Sequence, residues 1–517
     1  MIKLVSKGRP ALRKIKEGID LVADPVTSTL GAAGRTVIIS ETFVHDYSTR
    51  HLPIVVTKDG WRVSQSINSS DPLTQAGVLF IQEAAQKQMN DAGDGTTTCC
   101  LLTQAIVEEG IKAIEGGAEP HQLKKSIDNA VIDIVNQLRD AAIPIGGDIE
   151  KIRQVATISA NNDEYIGNLI ADAYSKIGIN GTVQIEDAKG VDTSIKIADG
   201  FKFVRGWASP YFITNFAKEE CVLEDPYILI YDRAITILKD VIPIMSKVIS
   251  EKRSLLVIAE DSDGDALAAF TMNAANKTLP CCIVNMKYAG DGKIKIMEDI
   301  AAITGGTFIN ELKGVELKNV SIQHLGRAKK AVISKENTVI VGGIKNEESY
   351  SKYVADLKSQ KNEAEGQEDK DNIDKRIARL NEGVAILSIG ATTEVEMKEK
   401  KDRADDAVRA TKCAIEEGYV PGGGIAFLRL KPTNTILDNV MKAPIMQLCK
   451  NAGVTGVVEE VVAANGSIGF NAKTGKIENL EDAGIIEAVK SNRCAIQNAA
   501  SVACQILTSQ YIITDFQ

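Results

Sequence analysis

Gly93-Asp94-Gly95-Thr96-Thr97-Thr98 sets a carboxylate between two glycines and follows it with three hydroxyls. Leu101, Leu102, Ile106, Val107, Ile111 and Ile114 then recur at helical spacing, so the motif opens a predicted helix. The first turn of a helix offers unpaired N–H groups and a partial positive charge, which suit phosphate. Asp94 is a candidate ligand for the Mg2+ that accompanies phosphates. The plainer alternative is a tight turn with Thr96 capping the helix.

Other pieces point the same way. Thr29-Leu30-Gly31-Ala-Ala-Gly34-Arg35 is a glycine-bracketed loop before an extended patch, Thr36–Ser40. It allows close backbone approach to a ligand, or it is merely a hairpin entry. Thr57-Lys58-Asp59-Gly60 puts a cation and a carboxylate on one turn, suited to phosphate and Mg2+ or water, or simply solvated. Gly422-Gly423-Gly424 is either a ligand loop or a flexible joint. Asp406 lies in a charged helical run but precedes Ala407, Val408 and Ala410, which predicts a half-buried carboxylate able to orient or deprotonate a water. Neither G-x-x-x-x-G-K-[ST] nor a strand-following G-x-G-x-x-G occurs, which argues against P-loop and dinucleotide folds.

The scaffold for these residues is large. At 517 residues, three or four domains are expected. Net charge is −9, against a primary role on nucleic acid or an anionic membrane. The start lacks a secretory signal and no run has the ~20 apolar residues of a spanning helix, so a cytoplasmic place is expected. Nine Cys without C-x-x-C fit neither a disulfide framework nor a zinc site and read as buried thiols. The four scattered His are not read as metal ligands.

Residues 1–140 read as helices around the Thr36–Ser40 patch. Leu255–Ala259, Asp265–Asn273 and Cys281–Met286 form a strand–helix–strand pattern that implies parallel sheet. Residues 345–382 read as a charged, solvated helical hairpin, and helical periodicity resumes from Met397 to the end. The fold class is therefore multidomain, α and α/β, with helical parts at both ends of the chain flanking an α/β middle.

In order and spacing, T-L-G-x-x-G-R (29–35), T-K-D-G (57–60), G-D-G-T-T-T (93–98), T-I-S-A-N (157–161), R-G-W-x-S-P-Y-F (205–212), A-T-x-E-V-E-M-K-E-K-K (391–401) and G-G-G (422–424) resemble the group I chaperonins, the GroEL family. The likeness runs from about residue 10 to the last residues. It implies an equatorial ATP-binding domain (1–141 and 417–517), an intermediate hinge domain (142–198 and 385–416) and an apical domain that grips non-native protein (199–384). It also implies a homo-oligomeric heptameric ring, single or doubled, and a co-chaperonin as a candidate partner.

By the same resemblance, Thr29, Leu30 and Gly31 would lie against ATP. Lys58 and Asp59 would face the phosphates, Asp94 would hold Mg2+, and Gly95, Thr96, Thr97 and Thr98 would cradle phosphate oxygens. Ile158, Gly422, Gly423, Asn471, Ala472 and Glu487 would line base and ribose, with K+ a candidate further cation. Asp406 would position the attacking water. Gly200 and Gly383 match the family's hinge. The grip would consist of Tyr211, Phe212, Ile242, Met245, Leu267, Phe270 and Met272, although Val241, Ile242, Met245, Val248 and Ile249 by spacing alone suit a core face.

The chain also departs from the family. Glu487 stands where the family has Asp. Met446 and Thr455 replace a charged pair at the ring–ring face, and Leu428–Val440 is short. The loop Tyr288–Gly292 is shortened, Thr271 replaces an apolar grip residue, and the closing residues Ile513-Thr-Asp-Phe-Gln517 do not match the family's Gly-Gly-Met-rich tail.

Overall fold

The computed structural model describes residues 3–515 except 41, 46–47, 52–53, 189, 217, 288–291, 311–315, 365 and 381–382. The chain divides into two compact units. One comprises residues 1–175, 185–195 and 387–517, the other 176–184 and 196–386.

The first unit starts with α1 (Arg9–Thr27), α2 (Gly60–Gln65), α3 (Pro72–Asp91), α4 (Thr96–Glu115), α5 (Pro120–Asp140), α6 (Ile149–Ser159) and α7 (Glu164–Ile177). Local chemistry sets these boundaries. Asp59, Asp71, Glu119 and Asp148 accept N–H groups at the starts of α2, α3, α5 and α6, and Pro72 and Pro120 occupy first-turn positions where no N–H is needed. The α1 stripe Ile15, Ile19, Val22 and Val26 is fully buried. It meets α3 through glycines: a Cβ on Gly77 would lie 2.0 Å from the Ile15 carbonyl oxygen, and one on Gly18 would lie 2.1 Å from that of Thr74. Gly77→Ala should therefore force the helices apart and cost about 1–3 kcal/mol. The expected readout is a lower urea midpoint for loss of helical circular dichroism, and an unchanged midpoint would refute the tight crossing.

The second unit carries α8 (Leu238–Ser250), α9 (Gly264–Ala275), α10 (Gly292–Thr304), α11 (Glu347–Glu363) and α12 (Gln367–Leu380). Among the described residues a ten-stranded sheet, most of it in this unit, runs in the order Cys281–Asn285, Leu255–Ala259, Tyr227–Tyr231, Gly326–Ile333, Thr338–Gly343, Ser194–Phe203, Gly383–Ile389, Thr182–Asp187. Phe308–Ile309 and Cys221–Glu224 pair beside this path. Leu255–Ala259 and Cys281–Asn285 are parallel, Leu255 opposite Cys281, with α9 between them, as their sequence pattern predicts. The α11–α12 hairpin is less solvated than its composition suggests. Tyr353, Val354, Ile373 and Ile377 pack on the core with buried Leu357 and Leu380. Arg376 reaches the buried Asp299 at 2.9 Å, and the Tyr353 hydroxyl donates to the same carboxylate at 2.8 Å.

The chain returns to the first unit with α13 (Glu394–Glu417), α14 (Ile425–Leu428), α15 (Thr435–Val440), α16 (Ala443–Ala452), α17 (Val457–Ala463) and α18 (Val489–Thr508). Helix α18 is buried on nearly every face against α3, α4 and α5, which the small residues Ala495, Ala499, Ala500 and Ala503 permit. The expectation of helix throughout this stretch is corrected. Ile468–Asn471 and Lys476–Asn479 form a hairpin, Tyr419–Pro421 pairs with Ile486–Ala488, and Tyr511–Asp515 pairs with Lys3–Lys7. Gly475, at φ +73°, permits the hairpin turn, and these short strands leave no room for a helical period. All nine cysteines are buried free thiols.

Gly200 and Gly383 lie in strands and neither has left-handed torsions. Their lack of a side chain makes room for neighbours: a Cβ on Gly200 would lie 2.0 Å from Val384 Cγ2, and one on Gly383 would lie 3.0 Å from Ile177 Cγ2. The shortened loop falls at Tyr288–Asp291, outside the described residues, and only its last residue, Gly292, is described.

Candidate functional site

One cavity of about 210 Å³ in the first unit gathers most of the residues singled out by sequence. Thr29, Leu30, Gly31, Lys58, Asp59, Asp94, Gly95, Thr96, Thr97, Thr98, Ile158, Asp406, Gly423, Asn471, Ala472 and Glu487 all line it, although they come from eight separate stretches of chain. Gly422 stands just behind, where a Cβ would sit 2.9 Å from Glu487 Cγ.

Two loops close on each other at the phosphate-suited end. Gly95 takes φ +78° and starts α4, so the N–H groups of Thr96, Thr97 and Thr98 have no helical partner upstream. Asp59 caps α2 by accepting from Trp61 N at 2.8 Å. The adjacent Gly60 is needed for contact, since a Cβ there would meet Thr97 Oγ1 at 2.4 Å. The T-K-D-G turn thus packs directly on the G-D-G-T-T-T turn.

The glycine run is a tight structure, not a loose joint. Gly423 and Gly424 both have left-handed torsions, and a Cβ on Gly424 would lie 2.8 Å from Ile445 N. Gly423 N donates to Glu487 Oε1 at 2.9 Å, and Asn492 Nδ2 donates to Glu487 Oε2 at 3.2 Å. Both oxygens of the longer acid are therefore engaged within the protein. The Thr29 hydroxyl donates to the Val26 carbonyl at 2.7 Å. Asn471 organises its turn, accepting from Lys473 N at 2.9 Å.

The electrostatics call for a ligand of mixed charge. Burial raises the Asp59 pKa against the pull of Trp61 N–H, Arg62 and Arg409. Burial pushes Asp94 up to about 6, and Asp59 adds to the rise. Asp406 is raised well above the carboxylate range by burial and by repulsion from Asp59 and Asp94. Three acids that oppose one another's charge favour a cation between them. Among the described residues no group of three or more His, Cys, Asp or Glu is arranged to hold a metal ion. Burial lowers the Lys58 pKa and Lys58 makes no ion pair among the described residues, which suits an incoming anion. Donors, acids and cavity thus fit a magnesium nucleotide.

Several lining residues escaped sequence reasoning. Asn161 and Asn162 occupy left-handed torsions, φ 57° and 63°, at the cavity wall beside Ile158 and Ser159. The T-I-S-A-N motif contained the signal, since Asn tolerates that region. Ser491 and Asn492 gave none, lying in an ordinary helical pattern. Lys473 on the hairpin reaches Glu164 at the start of α7 at 3.0 Å.

In the second unit the expected grip residues separate. Tyr211 is 74%, Ile242 46% and Met272 64% exposed. Phe212, Met245 and Phe270 are core side chains, and Leu267 is partly buried against them. Their place on an exposed surface is corrected. Val241, Met245 and Val248 share the inward face of α8, while Ile242 lies on the outward face. Thr271 closes its hydroxyl onto the Ala268 carbonyl at 2.9 Å.

A discontinuous helical unit enclosing such a cavity, with an α/β unit inserted in its chain, defines a chaperonin subunit. The chain matches the TCP-1/cpn60 chaperonin family over residues 22–433 and 435–517. It belongs to that family, as a divergent member of the GroEL type whose work is protein folding. It is similar in fold to the chaperonin gp146 from bacteriophage EL 2 (Pseudomonas aeruginosa), crystallised in the presence of ATP-BeFx. The TM-score is 0.69 at 22% identity, covering 99% of this chain and 100% of that one. Among the described residues no helix is long and apolar enough to cross a membrane.

Proposed function

We propose that this chaperonin is driven by ATP hydrolysis and captures non-native protein on exposed apolar residues of its second unit. The observation that carries the reading is the convergence of Lys58, Asp59, Asp94, Asp406 and the first turn of α4 on one cavity. In the three-domain division proposed here, residues 1–141 and 417–517 bind nucleotide, 142–198 and 385–416 form the hinge and 199–384 grip substrate.

Phosphoryl transfer needs charge stabilisation and positioning more than covalent help. Bound Mg2+ would neutralise phosphate charge. Asp94 would hold it, Lys58 and the N–H groups at the start of α4 would hold phosphate oxygens, and Asp59 would fix the turn that carries Lys58. Asp406 would orient the attacking water and accept its proton. Gly423, Ala472, Ile158 and Glu487 would enclose base and ribose.

Phosphate release measured with and without Mg2+ tests the activity. Asp94→Ala should weaken nucleotide binding itself, by about tenfold or more, because the cation no longer offsets phosphate charge. Titration with a fluorescent ADP checks this, and wild-type affinity in the mutant would remove Asp94 from the role.

The assembly proposed is a heptameric ring with weak back-to-back pairing. Met446 is 55% exposed and Thr455 is also exposed, so neither is occupied inside the subunit, and they cannot form an ion pair. One exposed pair contributes only ~0–1 kcal/mol, but seven act together. Mass photometry should find single rings at nanomolar concentration. Double rings that persist there with and without ATP would overturn the proposal.

A further inference from the structure

Buried polar groups in native proteins nearly all have hydrogen-bond partners, so an orphan calls for an explanation. Ser491, in the first turn of α18, is such a case. The residue is 4% exposed, and its hydroxyl oxygen is buried without a hydrogen-bond partner among the described residues. It stands in the wall of the cavity already described.

The backbone around this hydroxyl is fixed from both sides. Gln88 Nε2 donates to the Ser491 carbonyl at 3.1 Å and to the Asp94 carbonyl at 2.7 Å. Gln88 Oε1 in turn accepts from Asn498 Nδ2 at 3.1 Å. One buried amide therefore holds the Asp94 loop and the start of α18 in register, with the Ser491 side chain next to that loop. A Cβ built on Gly95 would lie 3.6 Å from Ser491 Cβ, which puts the side chain against the left-handed residue that follows Asp94. Cys413 is also near: its thiol donates to the Ala92 carbonyl at 3.2 Å, and it sits next to the Ser491 side chain. An Ala or Val in this place would line the same wall and leave no polar atom unmatched.

We propose that Ser491 is a positioning residue for the divalent cation: its hydroxyl donates to the ionised Asp94 carboxylate and fixes which oxygen faces the metal. Outer donors of this kind orient carboxylate ligands, and losing one typically costs ~10–100-fold in metal affinity. The inference rests on the magnesium-nucleotide reading above.

Mn2+ binding to the full-length protein with saturating ADP, followed by electron paramagnetic resonance, tests it beside ADP binding in EDTA. Ser491→Ala and the bulk-conserving Ser491→Val should both weaken Mn2+ by about tenfold and leave metal-free ADP affinity unchanged. Wild-type Mn2+ affinity in both variants overturns the inference and leaves the nucleotide reading standing. An equal loss of metal-free ADP affinity also overturns it, because that outcome belongs to cavity-wall packing. A wild-type protein that binds ADP with no dependence on Mn2+ overturns both.

Discussion

Asp406→Ala is expected to lower ATP turnover by ~10²–10⁴-fold while nucleotide stays bound. The separation of effects follows from position. Lys58, the Asp94 loop and the first turn of α4 supply the groups suited to phosphate, whereas Asp406 comes from α13 and adds a third acid to the same cavity. Its raised pKa arises from burial and from Asp59 and Asp94. A cation that compensates those neighbours would lower it, so the carboxylate would be ionised in the loaded site where it is proposed to act as base. Single-turnover phosphate release beside fluorescent-nucleotide titration separates chemistry from binding. Turnover at the wild-type rate would remove Asp406 from catalysis, and loss of binding in step with turnover would make it a structural residue.

Tyr211→Ser, Ile242→Glu and Met272→Ser combined are expected to abolish suppression of aggregation while ATP turnover persists. The three are the grip candidates that present large apolar side chains to solvent. Fully burying such a side chain contributes about 1.5–3 kcal/mol, so half-burial of three amounts to about 2–4 kcal/mol, roughly 30- to 1000-fold in affinity. Phe212→Ser is the contrasting control. That ring is 1% exposed, so its removal should cost about 3–5 kcal/mol of stability in the second unit. Light scattering of a denatured test protein, together with phosphate release, gives both readouts. Undiminished capture by the triple variant would place the grip elsewhere.

Sequence carried most of the cavity because its residues do jobs only certain types can do. Gly95 must be left-handed and Gly60 must leave room for Thr97, so both motifs were visible as glycines in order. The parallel pair Leu255–Ala259 and Cys281–Asn285 was legible because both strands are buried runs separated by one helix length. The hairpin Ile468–Asn479 was not, since four-residue strands carry too little periodicity to oppose the helical pattern around them. The grip candidates failed for a different reason. Periodicity identifies an apolar stripe but not which edge of it turns outward, and Met245 and Ile242 differ in that alone. Ser491 was invisible because its significance lies in the Gln88 amide, which is distant in sequence.

The antiparallel pairing of Lys3–Lys7 with Tyr511–Asp515, and the burial of α18 among α3, α4 and α5, also set a schedule for synthesis. Apart from residues 176–184, the second unit is one contiguous stretch ending at residue 386, and it can fold while the ribosome is still translating. The faces of α3, α4 and α5 that pack on α18 have no partner until α18 ends at Thr508. At ~5–20 residues per second, roughly 6–25 s separate the two events. During that interval a nascent chain exposes the apolar helices of its own unfinished first unit, so a chaperonin is for that time a client in need of shielding.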